Sequence, residues 1–184
     1  FADQSGTFEV AERPDGGKCL RQTVPRRGID WEHYATPEPY TILGSTKWYN
    51  YEVACDAYVE KAGYAAIFGH IKYSLISCAN PPRGYWLKVN TDGRWDLMKF
   101  VYSLASGTVP FAADRWHQLA LKFSGETITA SIDGVEVTTL TVPPISEQDV
   151  AYEGGAVGLG TGWNTARFDN FSIREVAGPA PAIN

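Results

Sequence analysis

Between residues 116 and 142 the chain alternates so strictly that few folds remain open to it. From Trp116 to Phe123, the apolar Leu119, Leu121 and Phe123 are interleaved with Gln118, Ala120 and Lys122. Ser124-Gly125-Glu126 turns the chain into residues 127–132, where Ile128, Ala130 and Ile132 alternate with Thr127, Thr129 and Ser131. Asp133-Gly134 turns it again into residues 135–142. A period of two gives each segment one apolar face, and Asp-Gly is a strong short hairpin signal. Three strands joined this tightly form an antiparallel meander, whose apolar face must be buried against a second layer.

Similar signals recur along the chain. Residues 7–13 and 19–24 flank the turn Pro14-Asp15-Gly16-Gly17 and read as a hairpin. Strands are expected at 51–60, 65–72, 84–90 and 95–101, the last two joined by Asn90-Thr91-Asp92-Gly93. Residues 156–160 and 166–176 complete the set, residues 25–40 read as a long irregular stretch, and no segment carries a helical period. The 6 Trp, 10 Tyr and 8 Phe, punctuated by 18 Gly and 11 Pro, fit an all-β chain of short strands. The expectation is an antiparallel β-sandwich over 1–176, with 177–184, containing Ala177-Gly178-Pro179-Ala180-Pro181-Ala182, as a tail or linker. Starting at Phe1 rather than Met, the chain reads as a portion of a longer polypeptide.

Phe168-Asp169-Asn170-Phe171 is the anomaly of the last strand. Phe168, Phe171 and Ile173 read as core, and a carboxylate among them needs a partner or water. Either Asp169 holds a structural Ca²⁺, or it faces solvent across a bulge. Asn170-Phe171-Ser172 matches a glycosylation sequon, but its place between core rings argues against use. Cys19, Cys55 and Cys78 are an odd number, leaving open one disulfide with a free thiol, or none; Cys55 reads as core. The net charge of −5, without a basic run, argues against nucleic acid as a partner. No stretch approaches the 18 apolar residues of a membrane-spanning helix. Neither a Gly-x-Ser-x-Gly elbow nor clustered strand acids of the E-x-D-x-E kind is present, so catalysis is not expected within this chain.

At the level of fold, Arg115-Trp116-His117-Gln118-Leu119, followed by Ile128 through Asp133-Gly134, is similar to the pattern of laminin-G-like and concanavalin A-like jelly rolls. Across most of the chain, the order Phe1-Ala2-Asp3-Gln4-Ser5-Gly6-Thr7-Phe8-Glu9, Leu20-Arg21-Gln22, Ile29-Asp30-Trp31, Cys55-Asp56 and Phe168-Asp169-Asn170-Phe171 resembles the C-terminal lectin domain of the galactocerebrosidases, glycoside hydrolase family 59. The resemblance implies a β-sandwich packed on a TIM barrel that carries two catalytic glutamates, so the chain itself is non-catalytic. It implies that Trp31 lends its ring to a galactoside pocket. A stacking ring needs a polar partner to orient the sugar, and Asp30, Glu32, Arg26 and Arg27 are adjacent, Asp30 and Arg27 being the chosen candidates. It also implies a Ca²⁺ held by Asp169 and by a backbone carbonyl near Lys18, with further ligands on a strand preceding Phe1, or Asp3 in their stead.

Aromatic rings stack on the C–H faces of sugars, and the expected ligand is a galactoside or another glycan. Trp31, in a loop, is the leading candidate. Trp86, Trp95 and Tyr85 line either a concave glycan face or the core, Trp48 and Trp116 read as structural, and Trp163-Asn164 sits in a Gly-rich loop at a possible rim. A free-standing glycan-binding lectin module and a domain that only braces a catalytic neighbour are the alternatives. The expected setting is secreted or lysosomal.

Overall fold

A computed structural model describes residues 1–29, 38–72, 82–141 and 154–179. Within them run fourteen strands: β1 (Ala2–Ser5), β2 (Phe8–Glu12), β3 (Lys18–Gln22), β4 (Tyr40–Leu43), β5 (Tyr51–Val59), β6 (Tyr64–Ile71), β7 (Tyr85–Asn90), β8 (Arg94–Lys99), β9 (Tyr102–Thr108), β10 (Trp116–Ser124), β11 (Thr127–Ile132), β12 (Val135–Thr141), β13 (Ala156–Thr161) and β14 (Ala166–Glu175). They form two seven-stranded antiparallel sheets. The first is ordered β1-β4-β13-β6-β7-β8-β9 and the second β12-β11-β10-β5-β14-β3-β2. The β-sandwich is thus as expected. No helix among the described residues is long and apolar enough to cross a membrane.

Alternation places the core. Val53, Cys55, Ala57 and Val59 of β5, with Leu119, Leu121 and Phe123 of β10, turn one way from the second sheet. They meet Ile67 of β6, Leu87 of β7, Leu97 of β8 and Leu159 of β13 from the first. Tyr85 and Trp95 belong to this inner layer, which answers the core-or-face question for those two rings. Trp86 does not share it. With Tyr64, Phe68 and Ile42 it builds a second apolar cluster on the outer side of the first sheet.

The meander β10-β11-β12 and the hairpin β2-β3 lie where the alternation put them. β1, β4 and β9 were not expected; β1 and β9 are sheet edges, and β9 carries an exposed, polar pattern. Cys19 and Cys55 are buried free thiols, while Cys78 lies outside the described residues. Residues 177–179 are held against the sandwich rather than trailing from it: Ser124 Oγ donates to the Ala177 carbonyl at 2.8 Å and Asn50 Nδ2 to that of Pro179 at 3.0 Å.

Candidate functional site

Residue spacing forces an irregularity into β14. Ala166 and Phe168 enter the core, and Phe171 and Ile173 pack against it, so the inward positions step by three between the two phenylalanines. A regular strand repeats every two residues, so one residue must sit outside the ladder. The register with β5 shifts between Asp169 and Ser172, and Asn170 takes φ 48°. Asn tolerates that left-handed region better than most side chains.

The bulge leaves Asp169 on the outer face, opposite Asp56 of β5. Like charges so placed repel, and both are answered locally. Asn170 Nδ2 donates to Asp56 Oδ2 at 2.6 Å, and the Asn170 backbone N–H donates to Asp169 Oδ1 at 2.7 Å. Asp169 Oδ2 accepts from Nη1 of Arg13. The same guanidinium grips Asp15 through Nε at 2.9 Å and Nη2 at 2.8 Å, and its face lies 4.4 Å from the centre of the Trp116 ring. Beside it the Asp15 carboxyl is held down to about 2. Trp116, expected to be structural, therefore works on the outer surface, where it also packs on Tyr58 at 5.3 Å.

These donors do not fit the expected Ca²⁺. The ion takes six to eight oxygens, whereas Asp169 already serves a guanidinium and a backbone N–H. Among the described residues no three His, Cys, Asp or Glu side chains converge. Asp3, the possible substitute, accepts the Phe8 N–H at 3.0 Å through Oδ2, and Lys18 opens β3 opposite Glu12 on the exposed hairpin. Asp169 does sit at a bulge, and its partner there is an arginine.

A second constellation lies at the end of β3. Gln22 points between the sheets and is fully buried. Its Nε2 reaches the Val24 carbonyl at 3.0 Å, Thr161 Oγ1 at 3.1 Å and the Asn164 carbonyl at 2.9 Å, while its Oε1 accepts the Val24 N–H. The Thr161 N–H donates to the Pro39 carbonyl at 3.0 Å. Thr161 thus ties down both Val24, through Gln22, and Pro39, the two flanks of the segment with the sugar-contact candidates. Asn164 exchanges bonds of 3.2 and 3.1 Å with the Tyr64 backbone. Gly63, at φ 153°, lies so close that an added Cβ would stand 2.3 Å from Asn164 Cγ.

Beside Thr161 lies a shallow crevice with room for about one water molecule. Its walls include Glu38, Tyr40, Tyr64, Phe68 and Trp86. Phe68 and Trp86 stack at 5.5 Å, Trp86 Nε1 donates to the Phe100 carbonyl at 2.8 Å, and Lys88 Nζ stands 4.4 Å from the Tyr64 ring centre. Tyr64 Oη donates to Glu38 Oε2 at 2.6 Å, and burial pushes the Tyr64 phenol well above its ordinary range. Tyr64, Phe68 and Trp86 are themselves buried and the carboxylate is bound by Tyr64, so the crevice serves packing and offers no room for a sugar ring.

Of the sequence candidates, Trp31 and Asp30 lie outside the described residues; Arg27 is exposed on the upstream flank. Trp48 packs against the core, Trp163 is half-buried and Asn164 is buried. Asn170 is exposed rather than enclosed by rings, with its amide engaged by Asp56. Sequence reasoning did not single out Arg13, Gln22 or the Glu38–Tyr64 pair. Gln22 gave one sign: an amide at an inward position of a strand.

The sequence profile described as "Galactocerebrosidase, C-terminal lectin domain" matches residues 3–176. Galactocerebrosidase of Canis lupus familiaris is 30% identical over 186 residues, covering 94% of this chain and 26% of its own length. The protein of that name from Homo sapiens is 28% identical over 184 residues, covering 94% and 26% respectively. The chain thus spans about a quarter of the length of these relatives. Among solved structures, the carbohydrate-binding module CBM66 from Bacillus subtilis superposes with a TM-score of 0.67 at 14% identity, covering 95% of this chain and 96% of that one. A putative glycosyl hydrolase from Parabacteroides distasonis gives 0.62 at 10% identity, covering 86% and 81%. Those likenesses speak for the lectin-like sandwich, and the sequence match decides the family: the chain belongs to the galactocerebrosidase C-terminal lectin domains.

Proposed function

We propose that this chain is the non-catalytic, carbohydrate-binding part of a galactocerebrosidase-like β-galactosidase. In this reading Trp31 stacks on a galactoside in a pocket shared with a catalytic TIM-barrel domain, Asp30 and Arg27 orient the sugar, and the catalytic glutamates lie on that partner. The observation that supports it most directly is the family match over residues 3–176 together with the anchoring of Val24 and Pro39 to Thr161. A pocket contributor on a loop needs its flanks fixed by a rigid scaffold. The proposed setting is secreted or lysosomal.

Trp31→Ala in the full-length protein tests it. The expected result is a KM for a β-galactoside raised about tenfold, corresponding to roughly 1.4 kcal/mol of lost contact, with the melting temperature nearly unchanged. A large fall in melting temperature with normal KM would instead assign the domain a bracing role. The likeness in fold to the carbohydrate-binding module CBM66 favours a second reading, a module that binds glycans by itself. Titration of the isolated chain with galactosides and other glycans separates the two, and silence across the set removes the second.

A further inference from the structure

Asp56 and Asp169 face each other across β5 and β14, and two carboxylates so placed need positive charge between or beside them. The cation at hand is Arg13, which follows β2 and opens the turn into β3. Its backbone is fixed by that turn, with the Arg13 N–H on the Gly17 carbonyl at 3.0 Å and the Gly16 N–H on the Arg13 carbonyl at 3.2 Å. The side chain, 18% exposed, then engages three separate elements. Its fork closes on Asp15 in the turn, its remaining amino group meets Asp169 on β14, and its face covers Trp116 on β10. A planar guanidinium suits this use, because it stacks and donates in a fixed plane at the same time.

We infer that Arg13 is the resident cation of this lock, taking the place a metal ion would occupy on Asp169, so that the sandwich closes independently of calcium. A divalent ion on Asp169 would stand against the guanidinium and require it to leave both Trp116 and Asp15. Swinging Arg13 away would free the β2–β3 turn from β10 and β14 at once. The guanidinium keeps its charge at any pH the fold survives, so the lock needs no calcium supply. The inference is independent of the proposed sugar site.

The test compares thermal unfolding of the 184-residue chain in EDTA and in millimolar Ca²⁺. The expected result is one melting temperature in both. Arg13→Met lowers it by roughly 5 °C, and Asp169→Asn lowers it in the wild-type background. In the Arg13→Met background, Asp169→Asn is neutral or stabilising, because the amide oxygen can still accept the Asn170 N–H while the repulsion of Asp56 is gone. A wild-type melting temperature that rises with Ca²⁺ and falls in EDTA overturns the inference, as does an Asp169→Asn cost that is the same in both backgrounds. Should Arg13→Met fail to fold, Asp169→Asn alone decides: a cost equal in EDTA and Ca²⁺ assigns the partner as Arg13, and a cost present only with Ca²⁺ assigns it as the metal.

Discussion

Gln22→Leu removes the amide that joins the two sheets at the end of β3 while nearly preserving side-chain volume. Four contacts disappear: the two Nε2 hydrogens, shared among the Val24 carbonyl, Thr161 Oγ1 and the Asn164 carbonyl, and the Val24 N–H bond into Oε1. Thr161 Oγ1 keeps its 2.7 Å bond to the Gly162 carbonyl, so its loss is partial. The Asn164 carbonyl and both backbone groups of Val24 lose this partner. Each such bond is worth about 1 kcal/mol net, and a buried group left unpaired costs about 1–3 kcal/mol. Leucine regains part of this through apolar burial, about 1–2 kcal/mol. The balance is a loss of about 3 kcal/mol. With a urea m-value of about 2 kcal/mol/M, the midpoint should fall by about 1.5 M at unchanged m, and the melting temperature by roughly 6–12 °C. Gln22→Glu is the informative companion, since it keeps an acceptor for the Val24 N–H but turns a carboxylate toward two carbonyls. It should cost at least as much. A Leu variant within about 1 kcal/mol of wild type would show that this position is packing alone, and the anchoring of Val24 to Thr161 would lose its energetic basis.

Two further predictions concern the outer face of the second sheet. Glu60 is gripped by Arg21 at 2.6 and 2.9 Å, with Arg167 at 2.9 Å, and Arg21 holds its carboxyl down to about 2. Because the folded pKa lies below the unfolded one, near 4.3, its stabilisation is complete above that value and fades as pH falls toward about 2. Melting temperature against pH should show this acid limb, and Glu60→Gln should flatten it; an unchanged limb would place the acid sensitivity elsewhere. At the bulge, Asn170→Val puts a β-branched residue at φ 48° and removes the bond to Asp56. A loss of about 2–3 kcal/mol by urea unfolding is expected, whereas Asn170→Gly, free of the backbone penalty, should lose only about 1 kcal/mol. Equal losses would mean that the backbone is not strained there.

What the sequence disclosed follows from how local its cause was. Ile128, Ala130 and Ile132 alternate because one sheet face is buried, and that pattern is visible within six residues. β9 carries the run Tyr102-Ser103-Leu104-Ala105-Ser106-Gly107-Thr108 at an edge, where one neighbour and water replace the demand for alternation, so its pairing with β8 leaves little trace. β4 is four residues long and owes its place to β1 and β13 on either side. The Phe168-Asp169-Asn170-Phe171 bulge lies between these cases. Two core rings three apart in a strand already demand an extra residue, and an Asn between them is a suitable one to leave the ladder.

The partner of Asp169 was a different kind of problem. Arg13 grips Asp15 across two positions of the turn Pro14-Asp15-Gly16-Gly17, and that half of the lock was open to inspection in the sequence. The other half joins residues 156 positions apart, through a register in which β14 lies between β5 and β3, and no local pattern records sheet order. Gln22 shows the same division. Its polarity at an inward strand position announced that some buried partner exists, but Thr161 and Asn164 become its neighbours only because β13 of one sheet and β3 of the other finish at the same end of the sandwich. Charge and amide groups therefore reported where the fold needed a partner, and the topology chose which one. At Asp169 it brought a guanidinium, which met the charge without the six or more oxygens a calcium ion would have had to gather.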